Sequence, residues 1–182
     1  MADLTTLAAV KAYGPIAGTE LDTLIGALIG RASAAIENFL QAHVLVDDYV
    51  DVRNGTGGAT MLLRERPVVS VSSVTVDGQS IPAAAAFGEP GWWLEDRMVL
   101  LTGYSYTSGT ANVRIAYRAG YDTTPADIEQ ACIETVMLAL RRREHIDVSS
   151  KSLAGETVSY LTAELTPSAR QVLQSYRRVA PL

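Results

Sequence analysis

The sequence predicts an α+β fold in which a small helical bundle carries an antiparallel, β-rich insert. Apolar side chains recur at three- and four-residue steps over residues 19–42 and again over 125–143, which is typical of amphipathic helices. Between these segments the apolar period falls to two, with turn residues about every 8–12 positions. Helices followed by strands and then helices again, without regular alternation, argue against a parallel α/β enzyme fold.

This order of elements divides the chain into three parts. Residues 1–44 and 120–145 are assigned to the helical core, and 45–119 to an antiparallel insert between the second and third helices. Residues 146–182 form a C-terminal arm and a last helix. At 182 residues the chain is long enough to bury a substantial core.

Two helices are predicted before the insert. The first spans residues 4–13, with Asp3 or Thr5 as its cap, and Gly14-Pro15 ends it because proline cannot continue a helix. The second begins at Thr19, with Asp22 in the acidic position of a capping box. Its apolar stripe is the longest in the chain: Leu21, Leu24, Ile25, Leu28, Ile29, Ala32, Ile36, Phe39 and Leu40.

Turn residues divide the insert into six or seven short strands. Asp77-Gly78 and Asp96-Arg97 each predict a tight hairpin, and residues 110–117 supply the last strand. The glycine-rich stretch Gly55–Gly58 is interpreted as the exposed tip of a first hairpin. A phosphate-binding loop is the less favoured alternative, because the Lys-Ser/Thr ending is missing and strand pattern rather than helix follows.

Two further helices are predicted after the insert. Thr124 and Pro125 begin the third, and Thr166-Pro167 begin the last, which runs to about Arg178. Residues 146–163 are small and polar, so we expect the segment 146–182 to become ordered on assembly against a neighbouring subunit. The alternative is a last helix that packs permanently on its own domain.

Composition limits the classes of function. The net charge of −5 gives no reason to expect non-specific attraction to nucleic acid. The chain has no secretory signal and no apolar run near the ~20 residues that cross a bilayer, so we expect no membrane partner and synthesis in the cytoplasm. The single Cys132 lies in an apolar helical pattern and is expected to be an inert core residue.

No pattern of catalytic, cofactor-binding or metal-ligating residues emerges. His43 and His145 stand alone at the trailing ends of two helices, where a solvated histidine is the ordinary case. No Gly-x-Ser-x-Gly elbow occurs. We therefore expect a protein that is not an enzyme and that uses no cofactor and no metal.

A few residues are candidates for partner binding. Arg141, Arg142 and Arg143 end the third helix, where they either complement the helix dipole or contact a partner. In Trp92-Trp93 the two side chains must lie on opposite faces of a strand, so one is expected in the core and one at an interface; Trp92 is taken as the candidate. Tyr104 and Tyr106 are expected in a flexible or partner-contacting loop.

Several stretches together resemble the head–tail connector family of long-tailed bacteriophages, also called adaptor or head-completion proteins. The resemblance covers most of residues 4–143 and is closest to a longer subgroup with a β-rich insert. It rests on Leu4–Lys11, on Leu24-Ile25 through Leu40, on Leu62–Val74, on Tyr117–Tyr121 and on Pro125–Ala131.

The resemblance implies a structural adaptor of the virion. It implies a ring of about a dozen copies under the portal protein, with a tail-side stopper or tail-completion protein below and genome DNA crossing the lumen without sequence-specific binding. Such a ring lies at the head–tail junction of the virion and is assembled in the host cytoplasm. Because adaptors of this kind hold the portal through their C-terminal parts, the C-terminal segment supplies further candidates for partner contacts: Tyr160, Tyr176, Arg177 and Arg178.

A second interpretation comes from a different class of function. The chain would be a small, non-catalytic binding module that regulates a phage or host enzyme through its β-sheet face. An enzyme on an unfamiliar α+β scaffold is the third and least supported interpretation.

Overall fold

A computed structural model describes residues 2–143, 150–153, 156–159 and 165–177. The chain forms two compact units. The helical unit comprises Met1–Val44 and Thr123–Leu182, and the β unit comprises Leu45–Asp122. The elements confirm the predicted α+β class and the antiparallel strands between the second and third helices.

The helical unit contains four helices and a short hairpin among the described residues. The helices are α1 (Leu7–Tyr13), α2 (Asp22–Leu40), α3 (Ala126–Arg143) and α4 (Pro167–Tyr176). Between α3 and α4, the strands β8 (Ser150–Leu153) and β9 (Glu156–Ser159) pair antiparallel.

The helix caps were only partly predicted. At α1 the cap is Thr6 rather than Asp3 or Thr5, and its side chain accepts a hydrogen bond from the Ala9 amide at 3.2 Å. Thr19 does not begin α2, and Asp22, the first residue of that helix, pairs with Lys11 at 2.7 Å instead of closing a capping box. The predicted cap Thr166 is confirmed, with a hydrogen bond from the Ala169 amide.

Apolar side chains from all four helices form the core of this unit. Ser33 joins three segments within that core, because its hydroxyl accepts a hydrogen bond from the Leu4 amide and lies 3.8 Å from the Cys132 sulfur. Cys132 is fully buried, which confirms the prediction of a core residue. The buried apolar side chains of this core include Leu4, Val10, Ile25, Ile29, Ile36, Ile128, Val136 and Leu173.

The last helix packs on its own bundle. α4 contacts both α2 and α3, and its Ala169 and Leu173 side chains are buried. The structure thus has the alternative arrangement rather than a helix that must find a neighbouring subunit to dock. Leu165, which lies just before α4, is buried as well.

The β unit is a sandwich of two antiparallel sheets. One sheet has the order β1-β7-β3-β4 and the other has the order β2-β6-β5. A single apolar core contains side chains from both sheets, so the sheets face each other across it. The strands are β1 (Asp47–Gly55), β2 (Thr60–Leu62), β3 (Val68–Val76), β4 (Gln79–Ile81), β5 (Gly91–Glu95), β6 (Met98–Thr102) and β7 (Gly109–Ala119).

Two of the three predicted hairpins are confirmed, and the first is wrong. β3 and β4 pair across Asp77-Gly78, and β5 and β6 pair across Asp96-Arg97. β1 and β2, however, belong to different sheets: β1 pairs with β7 and β2 pairs with β6. The glycine-rich segment therefore connects the two sheets, and it is held there by backbone hydrogen bonds of Gly57 and Gly58 with Tyr106 at 2.6 and 2.8 Å.

The expectation for the tyrosine loop also needs a correction. Tyr106 is fully buried between the sheets, and its hydroxyl donates to the Val99 carbonyl oxygen at 3.2 Å. Tyr104 is exposed. Sequence position suggested two equivalent loop residues, whereas one of them is a core residue that stabilises the loop.

Candidate interaction surfaces

A half-open apolar groove lies between α2 and α3. Its volume is about 240 Å³, and its walls are mostly alanine, leucine and methyl-bearing side chains with an arginine from each helix. The lining residues are Leu28, Arg31, Ala32, Ala35, Thr135, Leu138, Ala139 and Arg142. An apolar groove flanked by guanidinium groups is suited to an apolar segment of a partner that also carries carboxylates.

Arginines cluster where this groove meets the end of α3. We call the set Arg31, Arg141, Arg142 and Arg143 the arginine end. Arg141 and Arg143 are exposed, and Arg142 is half-buried in the groove wall. The last turn of a helix favours positive charge, so part of this arrangement stabilises α3 itself. Arg31, Arg141 and Arg143 face solvent, so their guanidinium groups can be reached by a partner.

The C-terminal candidates lie at the other end of α3. The Tyr176 hydroxyl donates to an Asp127 carboxylate oxygen at 2.7 Å, and the Arg177 guanidinium lies 5.5 Å from the centre of the Phe39 ring. Asp127 and Arg142 are fifteen residues apart on α3, which is about 22 Å along the helix axis. The structure therefore separates Tyr176 and Arg177 from the arginine end. Tyr160 and Arg178, like His145, lie outside the described residues.

The outer face of the three-stranded sheet carries exposed aromatic and apolar side chains. Directly opposed pairs place Trp93 beside Leu100 and Glu95 beside Met98 on this face. Phe87 packs edge-on against Trp93, with ring centres 6.2 Å apart. Phe87 is 71% exposed and Trp93 is 37% exposed. We call Phe87, Trp93, Glu95, Met98 and Leu100 the aromatic face.

Trp92 lies on the inner side of the same strand. It is half-buried and packs against the shared core. The sequence correctly placed the two tryptophans on opposite faces, but the exposed member is Trp93, not the candidate Trp92. Alternation along a strand shows which residues share a face, but it does not show which of the two faces is buried. Leu94 shares the face of Trp92, and only the position of the opposing sheet shows that this face is the buried one.

The outer face of the four-stranded sheet is different in character. Register places Val50 beside Ala116 and Val52 beside Arg114, and both valines are nearly half exposed. Arg118 pairs with Asp48 at 3.3 Å, whereas Arg114 makes no ion pair with any described residue. We call Val50, Val52, Arg114, Ala116 and Arg118 the valine face.

A hydrogen-bond cluster organises one end of the sandwich. The Asn112 amide donates to Asp77 at 2.9 Å and to the Thr107 carbonyl oxygen at 2.8 Å, while its oxygen accepts from the Gly55 amide at 2.8 Å. The Thr107 hydroxyl donates to Asp77. These hydrogen bonds to the carboxylate, the Thr107 bond foremost, lower the pKa of Asp77. The cluster fixes loops rather than forming a reactive site.

The described residues whose pKa is raised are buried core residues. Burial raises the pKa of Tyr117 to about 12 and that of Cys132 to about 11, and burial also raises the pKa of Tyr106. His43 is half exposed, and its Nδ1 lies 3.1 Å from the buried Glu37, whose other oxygen accepts from the Val44 amide. Within the described part of the chain, no three acidic, histidine or cysteine residues cluster as metal ligands would. None of its helices is long and apolar enough to span a membrane.

Comparison with known proteins identifies the family. The family model described as "Head completion protein" matches residues 3–179 of the chain. The chain belongs to the head completion protein family. Membership explains why the most distinctive features are surfaces rather than pockets with reactive groups, since the family is structural.

Solved structures of phage-like particles share the fold over the full chain. A chain from the neck of an empty gene transfer agent particle, computed with C6 symmetry, has a TM-score of 0.60 at 18% identity, covering 98% of this chain and 92% of that one. A chain from the native particle neck, computed with C12 symmetry, has a TM-score of 0.58 at 16% identity, covering 100% and 96%. No curated protein matches the sequence significantly. Together with the family, these results give a structural role at the head–tail junction of a phage-like virion.

Some surface residues of this family member were not found from sequence. Phe87, Trp93 and Met98 form one exposed patch only because β5 and β6 pair and the loop before them folds back. Arg31 joins the arginine end only because α2 packs beside α3, so that Arg31 and Arg142 line the same groove. The available sequence signal was the alternation through Trp93 and Glu95, which places both on one face.

Proposed function

We propose that the chain is an adaptor that forms a closed ring of about a dozen copies under the portal protein and bridges it to a tail-side stopper or tail-completion protein. The main observation in support is that the fold matches, over essentially its full length, chains from particle necks computed with C6 and C12 symmetry. Because this chain and the neck chains cover one another almost completely, this chain has the right size to occupy one position in a ring.

A closed ring needs two unlike surfaces on each copy. Head-to-tail contacts that close by rotation generate a ring, whereas self-complementary contacts give only a dimer. The chain has unlike surfaces available, since the aromatic face and the valine face differ in both side-chain chemistry and charge. Free copies would be monomers that assemble on the portal in the host cytoplasm.

The portal contact is assigned to the arginine end together with the C-terminal residues of the chain. Exposed guanidinium groups beside an apolar groove can bind an acidic, apolar-anchored segment of another protein. The candidates at the other end of α3, Tyr176 and Arg177, would then support the contact by holding α4 on the bundle.

The acidic balance suits a ring through which DNA passes. A net charge of −5 per copy gives a ring that repels phosphates wherever acidic side chains line the lumen. DNA would therefore cross without sequence-specific binding and without being held.

Deletion and charge reversal test this function in assembled particles. Particles made without the gene should contain filled heads that lack tails, and the wild-type gene should restore tails. The Arg141→Glu/Arg143→Glu variant should lower tailed-particle yield at least tenfold while the free protein stays folded. The matched control is Arg170→Glu, an exposed arginine on α4. Normal tailed particles without the gene would overturn the proposal.

The alternative function is a binding module that regulates an enzyme through its sheet. The exposed Phe87–Trp93 pair on the aromatic face is the observation that favours it. The two functions differ in location: an adaptor is a stoichiometric component of purified virions, and a regulator is absent from them.

A further inference from the structure

The aromatic face leaves apolar surface in water that the β unit does not use for its own core. Phe87, Trp93 and Met98 are all exposed by more than a third, while Trp92, Leu94 and Val99 fill the inner side of the same strands. A patch rich in aromatic residues and methionine is typical of the buried centre of a protein interface. Something outside the β unit is therefore expected to cover it.

The valine face supplies a surface of complementary chemistry on the opposite side of the same sandwich. Its exposed Val50 and Val52 offer small, flat aliphatic area to aromatic rings. In charge the two faces are also complementary. Glu95 lies on the aromatic face and Arg114 on the valine face, and neither makes an ion pair with any described residue.

We propose that the aromatic face of one copy packs on the valine face of the next copy, with Glu95 against the neighbour's Arg114. This inference rests on the proposed ring. The two faces lie on opposite sides of one rigid sandwich, so the contact is head-to-tail and can be repeated from copy to copy. Pairing of the aromatic face with itself would bring two Glu95 carboxylates together and would stop at a dimer.

The area of this contact is too small to hold two free copies together. The aromatic face lies on two five-residue strands, β5 and β6, and on the loop before them, and two such strands cover about 160 Å² of sheet. A stable pair of proteins buries about 800 Å² on each partner. The contact is therefore one component of the ring interface, and it operates in the assembled particle rather than between free copies.

Cross-linking in particles tests the contact directly. Met98 lies opposite Glu95, and Val52 lies opposite Arg114, so Met98→Cys and Val52→Cys place thiols beside the two charges. Cys132 is buried and should not react. With a short bismaleimide, the double variant in particles should give a ladder of covalent oligomers, and each single variant should stay monomeric. The control pairs Met98→Cys with Gln79→Cys, because Gln79 lies opposite the buried Val76 and so is not on the valine face; it should give no ladder.

Three results of the cross-linking experiment would overturn the inference. A covalent dimer from Met98→Cys alone would mean self-pairing and overturn the inference. Cross-links to a different protein, or no ladder in particles that hold the normal number of copies, would also overturn it while leaving the proposed ring intact. Failure of the ring itself would appear separately, as a wrong copy number in unmodified particles.

A charge exchange gives a second, independent measurement if the cysteine variants assemble poorly. Glu95→Arg and Arg114→Glu should each lower the yield of complete particles several-fold, and the double variant should recover most of it. Equal loss in the double variant and the single variants would contradict the pairing of Glu95 with Arg114.

Discussion

The helical unit and the β unit differ in how directly sequence determines structure. In the helical unit each helix is set by side chains three or four residues apart, and all four predicted helices are present. In the β unit the longest strand, β7, lies between β1 and β3, from which it is separated by more than thirty residues. Periodicity therefore identifies a strand, but only the whole fold identifies its partners.

The two units also expose different kinds of surface. The helical unit offers a groove with arginines at one end, where positive charge is partly explained by the helix dipole. The β unit offers two unlike sheet faces that no helix dipole or core requirement explains. Exposed apolar side chains that the fold itself does not require are the stronger indication of a partner. Four experiments test this difference between the two units.

The largest effect is expected for a core substitution in the helical unit. Ile36→Ala should lower the free energy of unfolding by about 2–5 kcal/mol, because Ile36 is fully buried and its loss leaves a cavity. Leu28→Ala is the matched control: Leu28 only lines the open groove, so its loss should cost about 1 kcal/mol. Denaturant titration measures both, and equal costs would show that the groove is closed in solution.

Glycine substitutions should have opposite signs in the two units. A Cβ at Gly55 would overlap the Thr107 carbonyl oxygen, so Gly55→Ala should cost about 1–3 kcal/mol through a forced backbone shift. Gly26 lies within α2 with open space around it, so Gly26→Ala should stabilise by about 0.5–1 kcal/mol. Thermal unfolding resolves the difference. A neutral Gly55→Ala would contradict the tight packing of Gly55 against the Thr107 backbone.

Alkaline pH should destabilise both units. The pKa of Cys132 rises from an ordinary 9.0 to about 11, and that of Tyr117 rises from 10.0 to about 12. Between these values the unfolded chain loses a proton that the native state keeps, so stability is complete below pH 9 and falls as the pH rises through 11 and 12. Unfolding midpoints from pH 8 to 11 should decline, and the Cys132→Ala variant should decline less. A flat profile would contradict burial of these groups.

The smallest effect is expected at the end of α4. Tyr176→Phe removes the hydrogen bond to Asp127 and should cost about 0.5–1.5 kcal/mol. Tyr13→Phe, at an exposed tyrosine of α1, should change nothing measurable. No loss at Tyr176 would indicate that α4 is not docked on the bundle in solution, which would favour docking on a neighbouring subunit.

Sequence predicted the fold class, all four helices, two hairpins and the core role of Cys132, because each depends on local pattern. It was wrong on the β1–β2 hairpin and on Tyr106, since a glycine-rich segment between strands has the same composition whether it turns within one sheet or crosses between two. It correctly placed Arg141, Arg142 and Arg143 at the end of the third helix, and their role in partner binding stays a prediction. It did not find Phe87 and Trp93 as one surface, because their contact depends on how a loop folds back on a strand.

The central claim is that this head completion family member forms a closed ring in the particle neck. A reconstruction of the particle vertex without imposed symmetry, with this chain labelled, tests it most directly. The account predicts a closed ring of about twelve labelled copies around the DNA path, with each β unit touching the next. One or two labelled copies at the vertex, or label outside the neck, would contradict it.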